Sequence, residues 1–209
     1  MENKYYLSVF YAALFYGILY SRIENTMDLR PQDVVLALKL LVHDSKPWSY
    51  SKLGEELGMS ASHAFQSVLR AEAAQLLNPS KLSSSPTRRS RGMIPQPNRH
   101  NLKEFLVHGV RYAFPVERGG PTRGIPTAEG APPLNQHFHA PPLVSPVWPY
   151  AEGSARGAGF SPLSKNVPQA ALRDPKLYEL LALVDAIREG RAREREIAIR
   201  ELTARIDAK

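Results

Sequence analysis

The chain contains no cysteine, which excludes disulfides, thiolate zinc sites and a cysteine nucleophile and fits a reducing, cytoplasmic compartment. It also lacks an apolar run of the roughly 20 residues that a membrane-spanning helix needs. The longest such run, Tyr5 to Tyr20 (YYLSVFYAALFYGILY), has 16 residues with Ser8 and Gly17 inside it. Glu2 and Lys4 stand where a leader would carry a basic cluster, and no small-residue cleavage motif follows, so a secretory signal is not expected. Residues 1–26 therefore read as an aromatic and apolar extension. Three readings stay open: a helix packing on the domain or on a partner chain, a membrane-surface anchor, and a non-native extension, since Met27 directly precedes a competent helix. The signatures of catalysis are missing too. There is no phosphate-cradling glycine loop and no paired acidic motif beside a histidine. A Ser-x-x-Lys spacing occurs at Ser49 to Lys52, but at the mouth of a helix pair. No enzyme activity, catalytic residue or cofactor is expected. His137 and His139 alternate in NQHFH without a third ligand nearby, so no metal is expected either.

Proline is abundant but unevenly placed. Of 18 prolines, only Pro31 and Pro47 precede Pro79, and none follows Pro175. The ends are thus helical and the middle is not. Charge is uneven as well. Residues 1–78 carry a formal −1, residues 79–125 carry +7 and residues 126–209 carry +1. All of the net charge of +7 therefore falls in one segment, where Lys and Arg would contact phosphates. Within it Arg88, Arg89 and Arg91 form a basic knot in a Ser- and Pro-rich stretch, suited to a phosphate backbone or a narrow minor groove. Arg118 and Arg123 lie in ERGGPTRGIPT, which reads as a loop tip.

The segment just before this charge is the most informative. Ser49 to Leu77 reads as a helix, a glycine turn and a second helix, with Gly58 supplying the left-handed turn conformation. Ser60 is a good N-cap. At about 100° per residue, Ser62, His63, Gln66, Ser67 and Arg70 fall in one arc. Ala64, Phe65, Val68, Leu69 and Ala71 fall in the opposite one, so the first arc is expected to face solvent. Upstream, Val34, Val35, Ala37, Leu38, Leu41 and Val42 predict a helix with one buried side after Pro31. Trp48 reads as a core residue bridging helices.

LGEELGMSASHAFQSVLRA, with Leu53, Gly58, Ser60, Ser62, Ala64, Val68 and Arg70 in place, resembles the helix-turn-helix of bacterial winged-helix transcriptional regulators. The resemblance covers about a tenth of the chain. It implies that the helix from Ser60 enters the major groove of double-stranded DNA, with Ser60, Ser62, His63, Gln66, Ser67 and Arg70 as DNA-binding residues and Arg88, Arg89, Arg91, Arg118 and Arg123 on the backbone. The wing departs from the pattern, because the strand candidate Val110 to Val116 begins more than thirty residues late.

Further on, Asn101 to His108 reads as a short helix ending at Gly109. Pro146 to Pro149 and SARGAGF suggest two short strands, with Trp148 as an anchor. Asp174-Pro175 reads as an N-cap and first-turn proline for a helix with Leu177, Leu180, Leu181, Val184 and Ile187 in a stripe. Gly190 ends it, and Arg191 to Ile206 forms a second helix with Ile199, Leu202 and Ile206 in line and pairs such as Glu196 and Arg200 at supporting spacing. The expected fold is mainly α with small β-hairpins, a winged helix-turn-helix domain plus a C-terminal helical pair. It divides into the extension (1–26), the DNA-binding domain with its basic insertion (27–125), a Pro-rich loop with short strands (126–174) and C-terminal helices for oligomerisation or partner binding (175–209). Two function classes follow: a sequence-specific transcriptional regulator, acting as a homodimer, or an antitoxin-like or adaptor protein whose C-terminal helices hold a partner and whose DNA binding serves autoregulation.

Overall fold

Two apolar helices form the interior of the described part of the chain. In the computed structural model, which describes residues 28–43, 49–79, 95–138 and 145–208, helix α1 (Pro31–Leu41) starts on a first-turn proline, and Asp33 accepts from the Arg30 amide at 2.8 Å. Every residue from Asp33 to Leu40 is buried. The expectation of one buried side is corrected: PQDVVLALKLL carries apolar residues around most of its circumference, and such a helix sinks into a core. Helix α7 (Pro175–Glu189) behaves in the same way, buried without a break from Leu180 to Arg188. The cap at its start is as expected, Asp174 accepting from the amides of Lys176 and Leu177 at 3.0 and 3.2 Å.

Charges inside these two helices are each matched. Asp33 is held by Arg70, and Lys39 by Asp174 at 2.7 Å and Glu56 at 3.0 Å. Asp185 accepts from Thr127 Oγ1 at 2.8 Å, Trp148 Nε1 at 2.6 Å and Arg188 Nη1 at 2.7 Å. Burial pushes the Asp185 carboxyl above the ordinary carboxylate range, against the pull of Arg188, Thr127 and Trp148. Arg188 donates three further N–H groups to the carbonyls of Phe114, Pro115 and Ser161. A buried polar group without partners is costly; here each becomes a link between segments far apart in sequence.

Around α1 and α7 pack helices α2 (Tyr50–Leu57), α3 (Ala61–Ala73), α4 (Arg99–Glu104), α5 (Val110–Ala113), α6 (Val167–Arg173) and α8 (Ala192–Asp207). A π-turn, Phe105–Gly109, carries α4 into α5, so the strand expected at Val110 to Val116 is corrected: Val110–Ala113 is helix and residues 114–116 are irregular. Leu102, Leu106 and Val110, four apart and all fully buried, are the reason: their spacing fits a helix and not a strand. Helix α8 packs on α7 through Ala198, Leu202 and Ile206, and Arg99 donates to the carbonyls of Ile206 and Ala208 at its end. Its i to i+4 ion pair is Glu201 with Arg205, at 2.8 Å.

Three strands form the β part: β1 (Arg118–Pro126), β2 (Pro146–Pro149) and β3 (Ala155–Phe160). Strand β1 runs antiparallel to both others, β2 and β3 pair in parallel, and the three close into a ring. The loop expected over ERGGPTRGIPT is therefore strand. Closure of so small a ring needs bare backbone: a Cβ at Gly157 would overlap the Ser145 carbonyl oxygen. The ring is tied to α7 by Trp148 and by Tyr178, whose hydroxyl donates to the Pro126 carbonyl at 2.7 Å.

One contiguous apolar core runs from Val34 to Ile206, so residues 126 and 175 are not packing boundaries. No helix among the described residues is long and apolar enough to cross a membrane. The extension 1–26 and Trp48 lie outside the described residues.

Candidate nucleic-acid interface

Helices α2 and α3 and the turn between them follow from local chemistry. Ser49 caps α2, accepting from the Lys52 amide at 3.1 Å. Gly58 ends α2 at φ +68°, a conformation an L side chain resists. Ser60 then caps α3, its Oγ accepting from the His63 amide at 3.2 Å. Ala64, Val68 and Ala71 are buried, and Phe65 meets Tyr50 edge-on at 5.3 Å. Burial, with the charge of Glu72 adding to it, pushes the Tyr50 hydroxyl up to about 12.

The turn is braced from outside. Asn166 Nδ2 donates to the Gly58 carbonyl at 2.5 Å, and Arg173 Nη1 to the Glu55 carbonyl at 2.6 Å. The Glu55 carbonyl already accepts from the Gly58 amide at 3.3 Å, so the end of α2 is held both by its own cap and by a segment more than a hundred residues downstream. The region after Leu163 and the start of α1 face α3 across a cleft of about 1190 Å³. Arg30, Glu55, His63, Gln66 and Lys165 are among its lining.

The expected reading residues divide. Ser60, Ser62 and His63 are exposed and Gln66 is half-buried, all in the first half of α3. Ser67 and Arg70 are corrected: Ser67 is 0% exposed and Arg70 5%. Arg70 forks onto Asp33, Nε to Oδ2 at 2.8 Å and Nη2 to Oδ1 at 2.7 Å, and Nη2 also donates to Ser67 Oγ at 3.1 Å. The most accessible stripe runs through Ser62, half-buried Gln66, Leu69 and Ala73, with Leu69 39% exposed. At 100° per residue its centre is turned by roughly 60° from that of the expected arc. The turn arises because an acid on α1 gives two polar residues of α3 a place inside.

The basic residues also divide. Arg88, Arg89 and Arg91 lie outside the described residues. Arg118 pairs with Glu189 at 2.8 Å, and Arg123 donates Nε to the Gly153 carbonyl at 2.7 Å. Both sit on β1, whose packing partners are β2 and β3, whereas α3 packs on α1 and α2. Directly after α3 the chain forms a stem that sequence reasoning missed. Leu77 bridges Pro97 antiparallel, with Asn78 N to Gln96 O at 2.8 Å and Asn98 N to Leu76 O at 2.9 Å. The proline at the return position concealed it. Arg30 and Lys165, isolated cations in the sequence, were missed as neighbours of α3. His137 stands 3.4 Å from Glu201, and His139 lies outside the described residues.

Comparison with protein-family models, with curated proteins and with solved structures found no match.

Proposed function

We propose that this chain is a sequence-specific DNA-binding transcriptional regulator that reads the major groove with α3. The carrying observation is the start of that helix. Ser60 caps it, and Ser62, His63 and Gln66 stand accessible in its first two turns, the part of a recognition helix that meets base edges. A glutamine there can bond adenine through two atoms, and serine suits several bases. The brace of Asn166 and Arg173 supports this reading because base recognition needs a fixed helix direction. The antiparallel bridge of Leu77 with Pro97 lies immediately after the reading helix, the position at which a winged unit begins its hairpin, and this supports the reading. The strong positive charge of residues 79–125 supplies affinity for the backbone.

The partner-holding alternative needs the apolar stripe of the C-terminal helices, and Leu177, Leu180, Leu181, Val184 and Ile187 are already buried within this chain. Selection of bound fragments from a random duplex pool tests the proposal. Enrichment of one sequence is expected, and Gln66→Ala should relax preference at one base pair by about 1–3 kcal/mol. A pool that emerges without enrichment would overturn the proposal.

A further inference from the structure

Arg123 of β1 and Arg156 of β3 are Cα partners in an antiparallel pair. Their side chains leave one face of the sheet from directly opposed positions, with Cβ atoms about 5 Å apart at this kind of site. Like charges so placed work against the sheet, and among the described residues no ion pair to either arginine offsets them. Both residues are exposed. Arg123 spends Nε on the Gly153 carbonyl, which fixes its guanidinium beside the turn after β2. Among the described residues Arg156 has no ion pair or hydrogen bond, and Glu152 in that same turn, near enough in sequence to have paired with it, bonds neither arginine. Arg118 shows the contrast, since on the same strand it takes Glu189.

We propose that Arg123 and Arg156 form a phosphate-binding site for the backbone of duplex DNA. Two guanidinium groups side by side offer paired N–H donors in the geometry phosphate oxygens accept, and a phosphate between them turns their repulsion into shared attraction. This inference rests on the DNA-binding reading of α3 and adds to it a contact on a separate element.

The test is the salt dependence of binding by the full chain to its selected duplex. Each backbone contact contributes about 0.9 to the slope of log K against log salt. Arg123→Ala with Arg156→Ala should therefore lower the slope by about 0.9, the count for the single phosphate the pair shares, and Arg156→Ala alone should lower it by part of that, with base preference unchanged. Arg156→Glu should bind more weakly still while melting no earlier than wild type, because it removes the like-charge pair. His63→Ala with Gln66→Ala should do the converse, shifting preference at constant slope. A wild-type chain that binds duplex, with an unchanged slope in both alanine variants, overturns the arginine site alone. A wild-type chain that binds no duplex overturns the reading of α3, and the site with it.

Discussion

Arg70 is committed to Asp33 before any ligand arrives. Both side chains are buried, and the pair is a two-bond fork closed further by Ser67 and the Arg30 amide. Removing one partner of such a pair strands the other charge in a poor solvent for it. Arg70→Ala should therefore destabilise the fold by about 3–5 kcal/mol and lose DNA affinity only as it loses structure. Gln66→Ala, on the exposed stripe, should shift stability by less than about 0.5 kcal/mol. Urea unfolding of the two variants separates these outcomes; an Arg70→Ala chain as stable as wild type would show that the fork contributes nothing. The sequence carried half of this. Ser60 as cap and Gly58 as turn were legible because each acts on its own backbone neighbourhood. The direction of Arg70 was not, because it depends on an acid 37 residues away, and the periodicity of one helix says nothing of its neighbour's charges. The trace that was present lay in α1, where Asp33 and Lys39 stand among apolar residues and each needs a partner.

At the scale of elements, the same contrast separates helices from strands. The cap at Asp174, the stop at Gly190 and the line of Leu202 and Ile206 are local signals, and the structure follows them. Strand β1 was hidden because RGGPTRGIP has the composition of a loop. Glycine there serves contact instead, letting backbones close the ring at distances a side chain would forbid. Gly157→Ala should consequently cost about 1–3 kcal/mol or more by overpacking against Ser145, whereas Gly120→Ala, with open space around it, should cost well under 1 kcal/mol. Thermal melts of both provide the comparison. Equal melting temperatures would mean that the ring tolerates widening and that close approach at Gly157 does not constrain it. The expected strand at Val110 to Val116 erred in the other direction: aromatic and β-branched residues suggested a strand locally, but the four-residue spacing that begins at Leu102 prevails because it places three side chains in the core.

At the scale of the whole molecule, the chain is held by links between its two ends, which no local window reveals. Lys39 in α1 joins Glu56 of α2 to Asp174 at the head of α7, so the helix pair with the candidate reading face is fastened to the C-terminal half. From sequence the C-terminal helices read equally as a hairpin on the core, an interface with another subunit or a dock for a different protein, because their stripe shows that a face is buried without showing against what; in the structure that face completes the core. The Lys39 link has a pH signature. Burial pulls the ammonium down, but Asp174 and Glu56 outweigh it and raise Lys39 above its ordinary 10.5. Burial likewise pushes Asp174 up, but Lys39 and the amides of Leu177 and Lys176 outweigh it and hold the carboxyl below its ordinary 3.8. A depressed acid stabilises the fold above its unfolded value and ceases to as pH falls through its folded one. A raised base stabilises below its unfolded value and ceases to as pH rises through its folded one. The link therefore operates in full between about pH 4 and about pH 10.5. Lys39→Met keeps the length of the side chain and removes the charge, and should cost about 1–3 kcal/mol at neutral pH. In urea titrations of both chains from about pH 3 to about pH 11, the deficit of the variant should be widest on the plateau and narrow at each end. A deficit of constant size across that range would mean that Lys39 acts by packing alone and that the two halves are joined by apolar contact, not by charge.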